Sequence, residues 1–271
     1  MPADGWLNDA DMKREPRDQT KNSVQYRLSL GLLTVAILCT SVPVFAATAS
    51  ADAAHGHVSH ATVPRGLDLS RSSEFDFDPP EAGSYNLPTI KNAADGRVLN
   101  TSGDRKSLKS LLGGKINLLS FIYTRCTDTQ GCPLATSVLY EISDASEFDP
   151  VLAKNLRMIS LSFDPGHDTP EVMAGYRGDA ASHQANRAEW IDLTTASESD
   201  LKPILKAYDQ IVRRRMDSSG APNDVLGHQL RAYLIDRNGK IRNIYGLGFL
   251  DPRLLVTDVY TLLMEEGTVK P

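Results

Sequence analysis

Lysine and arginine nowhere gather into a sustained stripe: 29 basic residues face 34 acidic ones, the formal net charge is −5 and the pI is near 5.7. Such a balance lacks the electrostatic footprint of a nucleic-acid-binding surface, so nucleic acid is excluded as a partner. The short run Arg213 to Arg215 is the exception and reads as the solvated end of a helix. The compositional bias of a disordered or collagen-like chain is missing as well, since 41% of residues are hydrophobic and 23% charged, as in an ordinary globular protein. No internal repeat is visible. Cysteine is scarce, with Cys39, Cys126 and Cys132 the only three in 271 residues.

The first distinct feature present is Leu28 to Ala46, LSLGLLTVAILCTSVPVFA, an uncharged apolar stretch that follows Lys21 and Arg27. A positive flank, an apolar run and small residues at the end form an export signal. Both Val44-Phe45-Ala46 and Ala47-Thr48-Ala49 present small residues where a signal peptidase reads. The run also approaches the ~20 residues needed to span a bilayer. Thr34, Thr40, Ser41 and Pro43 weaken it as a permanent anchor and favour cleavage. Asp4, Asp9, Asp11, Glu15 and Asp18 make an acidic prelude that is long for a signal peptide, and Met12 is an alternative start. Cys39 follows Leu38 rather than a small residue, which fits an apolar signal position and not a lipid attachment site.

The chain therefore divides into an N-terminal region (1–27), a signal peptide or membrane anchor (28–49), a His-containing linker (50–84) and one folded domain (85–267). The expected location is the periplasm or another extracytoplasmic space. In the linker, His55, His57 and His60 are spaced so that a flexible chain could wrap them around a metal ion, but without an acidic or cysteine partner they read as a polar tether. Only Cys126 and Cys132 remain in the exported part. In an oxidising compartment two such thiols form a disulfide, bind a metal together, or are held reduced by a dedicated donor.

Within the domain, Asn92 to Gly96 (NAADG) predicts a hairpin tip. Ile116 to Tyr123 (INLLSFIY) and Leu156 to Phe163 (LRMISLSF) are apolar runs expected of strands buried on both faces. Between them, Leu134, Val138, Leu139 and Ile142 recur at helical spacing. Thr169 is placed to cap a helix that begins with Pro170 and carries Glu171 in its first turn. A strand is expected over Ala188 to Leu193 and a helix over Glu198 to Tyr208. Gln229 to Ile235 and Lys240 to Tyr245 flank Asn238-Gly239, an antiparallel hairpin signal. The closing helix, about Asp251 to Glu265, has one broad apolar face.

This alternation predicts an α/β domain: a central mixed sheet flanked by helices, with an N-terminal hairpin extension. A cysteine pair between a strand end and the next helix narrows it to a thioredoxin-like fold. There a helix N-terminus is expected to lower a thiol's pKa. Phe121 to Leu134, FIYTRCTDTQGCPL, resembles the copper-site motif of the Sco/SenC family, a strand ending F-x-Y/F-T-x-C followed by a second cysteine and proline. Ser162-Phe163-Asp164-Pro165 with Asp168-Thr169-Pro170-Glu171 is similar to that family's S-x-D-P-x-x-D-T-P-E. His228 followed by Tyr233-Leu234-Ile235-Asp236 resembles its D-H-x-x-x-x-Y-L-I-D, and the likeness runs from about Leu87 to Glu265.

The resemblance implies a thioredoxin-like copper chaperone of cytochrome c oxidase assembly, with copper held by Cys126, Cys132 and His228. A copper-accepting oxidase subunit is the implied partner, with a copper donor or thiol reductant upstream. The chain departs from the family twice: five residues, Thr127 to Gly131, separate the cysteines instead of three, and Gly227 stands where an acidic residue usually precedes the histidine. Two thiolates and one imidazole are a soft set suited to Cu(I), whereas structural zinc wants a fourth ligand. The competing reading is a thiol-disulfide oxidoreductase, in which Cys126 attacks a target disulfide and Cys132 resolves the mixed disulfide. A peroxiredoxin-like peroxidase is disfavoured, because Phe121 to Cys126 lacks the expected Pro and Thr placement. His167 reads as a solvated loop residue, with Asp164 and Asp168 shaping and capping that loop.

Overall fold

A computed structural model describes residues 69, 75–178 and 186–270. The apolar stretch from Leu28 to Ala46, Cys39, and the linker histidines His55, His57 and His60 lie outside the described residues. Among those described, no helix is long and apolar enough to cross a membrane.

The strands in chain order are β1 (Lys91–Asn92), β2 (Arg97–Asn100), β3 (Arg105–Ser107), β4 (Ile116–Ile122), β5 (Leu156–Ser162), β6 (Glu189–Thr194), β7 (Val212–Met216), β8 (Pro222–His228), β9 (Ala232–Ile235) and β10 (Lys240–Tyr245). The helices are α1 (Leu108–Leu111), α2 (Cys132–Glu147), α3 (Pro150–Asn155), α4 (Pro170–Gly175), α5 (Glu198–Ala207) and α6 (Pro252–Glu265). Eight strands form one mixed sheet in the order β1-β10-β9-β4-β5-β6-β2-β3, and β7 pairs with β8 in a separate ribbon.

Strand β4 lies in mid-sheet, and all seven of its residues are buried. It runs parallel to β5 and antiparallel to β9. Alternating side chains go to opposite faces: Ile116 and Leu118 join a core with α2 and α6, while Leu119 and Phe121 join another with Leu108, Leu201 and Ile204. Each such side chain contributes roughly 1.5–3 kcal/mol by leaving water. The strand therefore fixes the place where the chain emerges at Tyr123, and the site begins there.

The buried strands, α2, the Thr169 cap (its side chain accepts from Val172 N), the β9–β10 hairpin and α6 all form as their sequence patterns predict. The N-terminal hairpin forms in a different place. Residues Asn92 to Gly96 are not its tip, because β1 lies at one edge of the sheet and β2 one strand in from the other. The hairpin is β2–β3, turning through Thr101 to Asp104. The turn-like residues upstream serve a crossing: Asp95 Oδ1 accepts from Ser107 Oγ and Lys109 N, and a Cβ on Gly96 would lie 2.3 Å from Ile204. Ahead of Tyr85 the chain already packs on α6, with Phe75 buried, the Arg253 guanidinium donating to Phe77 O at 2.9 Å and Gly83 N donating to Thr261 Oγ1 at 3.0 Å.

Candidate metal centre

Beyond Tyr123 the backbone turns sharply, Cys126 N donating to Tyr123 O at 3.2 Å, and a single buried carboxylate fixes the turn. Asp168, fully buried, accepts from Thr124 N at 3.0 Å, from Thr124 Oγ1 at 2.5 Å and from Ser162 Oγ at 2.5 Å. Two segments alike in sequence to one family, the T-x-C turn and the D-P-x-x-D-T-P-E loop, are thus joined by hydrogen bonds. Asp168 does more than cap its own loop: it sets the position from which Cys126 starts.

The second cysteine opens α2. Cys132 is its first residue, after Gly131 at the N-cap and before Pro133, a residue whose missing N–H costs nothing in a first turn. Gly131 is needed for close approach, since a Cβ there would lie 3.2 Å from Asp128 O and 3.3 Å from Cys126 Sγ. Both cysteines are free thiols, Cys126 partly exposed and Cys132 buried.

The helix N-terminus does not lower the Cys132 pKa as expected from sequence. Burial dominates and pushes the thiol well up, the hydrogen bond to the Tyr123 backbone opposes this, and the neighbouring Cys126 adds to the rise. A thiol only 1% exposed has lost the water that would stabilise its anion. The Tyr123 hydroxyl is likewise pushed up to about 12, by burial first and then by Cys126. A cation bound between the sulfurs would reverse this balance, because it stabilises thiolates that the apo pocket disfavours.

His228 reaches the pair from far along the chain. Its Nε2 lies 3.5 Å from Cys132 Sγ across a separation of 96 residues. The ring packs 4.7 Å from Phe163 and stands perpendicular to Tyr123 at 6.0 Å, centroid to centroid. Burial lowers its pKa, opposed by a hydrogen bond with the Leu226 backbone and by the charge of Asp128, while Arg215 pushes in the same direction as burial. At neutral pH the imidazole is uncharged and free to ligate.

His228 lies apart from the β9–β10 hairpin. It does not begin the strand leading to Ile235 but ends β8, in the ribbon outside the main sheet. The Arg213 to Arg215 run is not a helix end either: it forms the body of β7. A ribbon this exposed lacks the apolar alternation that reveals a strand. The legible signal is its turn, where Asp217 Oδ1 accepts from Ser219 N and Ala221 N and Gly220 takes φ +82.

Cys126 and His228 line one cleft of about 380 Å³, together with Tyr123, Asp128, Arg215 and Gly227. Arg125 straddles the two parts of the site: its guanidinium donates to Asp164 at 2.7 Å and lies 3.7 Å from Asp224 on β8. Among the described residues, three ligand-type atoms within 4.8 Å of one another occur at Asp164, His167 and Asp168. The Cys126–Cys132–His228 set is not drawn together to that degree. Cys132 and His228 are in contact, and the three ligand atoms must draw closer together to complete a coordination sphere. The acidic trio is already committed, Asp164 to Arg125, and Asp168 to Thr124, Ser162 and the exposed His167, whose Nδ1 is 2.9 Å away. It acts as the frame of the cysteine turn.

Comparisons with known proteins bear on the fold and the family. The chain is 24% identical over 163 residues to the SCO2-like protein RP587 of Rickettsia prowazekii, covering 59% of this chain and 73% of that one. A SCO1/SenC family lipoprotein from Bacillus anthracis shares the fold with TM-score 0.53 and 22% identity, covering 66% of this chain and 99% of that one. BsSco, described as a member of the Sco family of cytochrome c oxidase assembly proteins with a disulfide switch, shares it with TM-score 0.50 and 24% identity, covering 67% and 97%. The SCO1/SenC family profile matches residues 93–263, from the crossing after β1 to the last turns of α6, and the chain belongs to that family.

Proposed function

We propose that this protein binds copper through Cys126, Cys132 and His228 and passes it, outside the cytoplasm, to the copper centre of cytochrome c oxidase. The carrying observation is the 3.5 Å approach of His228 Nε2 to Cys132 Sγ, in a site whose other thiol shares a cleft with the same ring. A buried thiol and a half-buried neutral imidazole suit a soft ion such as Cu(I), because little water has to be stripped from either ligand. Membership of the SCO1/SenC family and likeness to an oxidase assembly protein support the acceptor. The stretch from Leu28 to Ala46 serves as signal peptide or anchor. Asp168 and Arg125 hold the cysteine turn against the frame, and copper displaces the Cys132 proton on binding.

Disulfide exchange uses Cys126 and Cys132 but has no need of His228, so the histidine discriminates the two chemistries. Anaerobic titration of the reduced protein is expected to give one Cu(I) per chain. His228→Ala should weaken binding by roughly 10–100-fold, and the same sample should lack disulfide-reductase turnover. Unchanged copper affinity in that variant removes His228 from the site, and sustained reductase turnover points to the oxidoreductase reading.

A further inference from the structure

The outer ribbon carries unmatched positive charge beside the cysteine cleft. Of its three consecutive arginines, Arg214 is answered within the chain, its guanidinium lying 3.3 Å from Asp224. Arg213 and Arg215 are exposed and form no ion pair among the described residues. The residue that faces them accounts for this. Gly227 pairs with Arg213 across the ribbon, so a side chain there would project on the same face as that of Arg213. A Cβ at Gly227 would also lie 3.5 Å from Arg215 Nε. An acid at this position, as the family pattern has, would answer the charge from within the chain, and the glycine leaves it open.

We propose that Arg213 and Arg215 receive surface carboxylates of the protein that accepts the copper, which supplies in trans the acid that this chain lacks before His228. The partner's role rests on the copper-delivery reading above.

Position and charge carry the assignment. Arg215 lines the same cleft as Cys126 and His228, so a carboxylate held there brings the partner to the opening of the site. The chain as a whole has a net charge of −5 and repels an acidic protein, so a local reversal of sign fixes how such a partner approaches. The acid that lines the cleft, Asp128, accepts from Gln130 N at 3.2 Å and forms no ion pair with either arginine. Apolar surface adjoins the charge: Val225, 40% exposed, lines the cleft, and Met216, 63% exposed, follows Arg215 in β7. Paired charge and apolar contact are the ingredients of a protein interface. An anionic membrane fits less well, because lipid attraction grows with the number of basic residues, and the ribbon sets Asp217 and Asp224 against its three arginines.

The test follows association of the reduced, copper-free full chain with the copper-accepting oxidase subunit as salt is raised. The wild-type rate should fall steeply with ionic strength. Arg213→Gln combined with Arg215→Gln should associate about tenfold more slowly at low salt and lose most of the salt dependence. Gly227→Asp, with both arginines in place, should do the same by supplying the carboxylate in cis. Arg214→Gln should change the rate by about twofold or less. Equal rates and salt slopes in wild type and the double variant overturn the proposal. So does a loss in Arg214→Gln as large as in the double variant, which assigns the effect to the ribbon's charge as a whole. Absence of wild-type association overturns it too, and binding to phosphatidylglycerol vesicles that the double variant loses would then assign the face to a membrane. Failure of the copper reading shows separately, as wild-type protein that takes up no Cu(I) in the anaerobic titration.

Discussion

The two cysteines and the histidine sit on parts of the molecule built in opposite ways. The cysteine turn grows from β4, seven buried residues in mid-sheet, and is fastened by a buried aspartate. His228 ends a two-stranded ribbon outside the main sheet, and four of the five residues of the facing strand β7 are exposed. One side is held by core packing, so its position is insensitive to solvent conditions. The other touches the core through the His228 ring, Leu226 and the Arg125–Asp224 pair. A site divided in this way can open by moving the ribbon while the sheet stays still, as the proposed copper delivery requires.

The comparison breaks first at Asp168. Asp168→Ala should cost about 3 kcal/mol or more in urea unfolding, because it strands buried donors of Thr124 and Ser162, and Cu(I) affinity should fall with it. His228→Ala should change unfolding by less than about 1 kcal/mol while weakening Cu(I) binding by roughly 10–100-fold. Equal losses of stability in the two variants would mean the ribbon belongs to the core. Next in size is Gly131→Ala. The new methyl presses on Asp128 O and Cys126 Sγ, for an expected cost of about 1–3 kcal/mol and a several-fold weaker Cu(I) complex, read by chemical denaturation and competitive titration.

The smallest effect is pH dependence of the apo protein, and it tests the ribbon alone. The folded pKa of His228 lies below the ordinary value of 6.5. As pH falls through 6.5 the unfolded chain binds the proton before the folded one does, so this contribution to stability is complete above 6.5 and declines below it. Thermal melts from pH 7.5 to 5 should show a decline that is smaller in His228→Ala. An identical decline in both proteins would assign it to other groups.

Much of the sheet was legible because its strands are buried on both faces. INLLSFI and LRMISLS carry no polar alternation to mislead, and the N-cap and hairpin residues stand where local chemistry requires them. The errors fall where local signals are weak or ambiguous. NAADG has turn composition, yet it serves a crossing from one edge of the sheet to the strand next to the other edge. VRRRM has no apolar period, and only its partner strand makes it a strand. The helix start at Cys132 is visible in sequence, whereas the burial that outweighs it in raising the thiol pKa is not.

The sequence by itself determined the thioredoxin-like class, the two cysteines at the end of a buried strand and the identity of the distant histidine, since these depend on local pattern and residue type. Only the tertiary structure decided that His228 arrives on a separate ribbon and that Asp168 pins the cysteine turn. Contacts between residues dozens of positions apart are fixed by how the sheet and its loops pack, and no local periodicity encodes that distance.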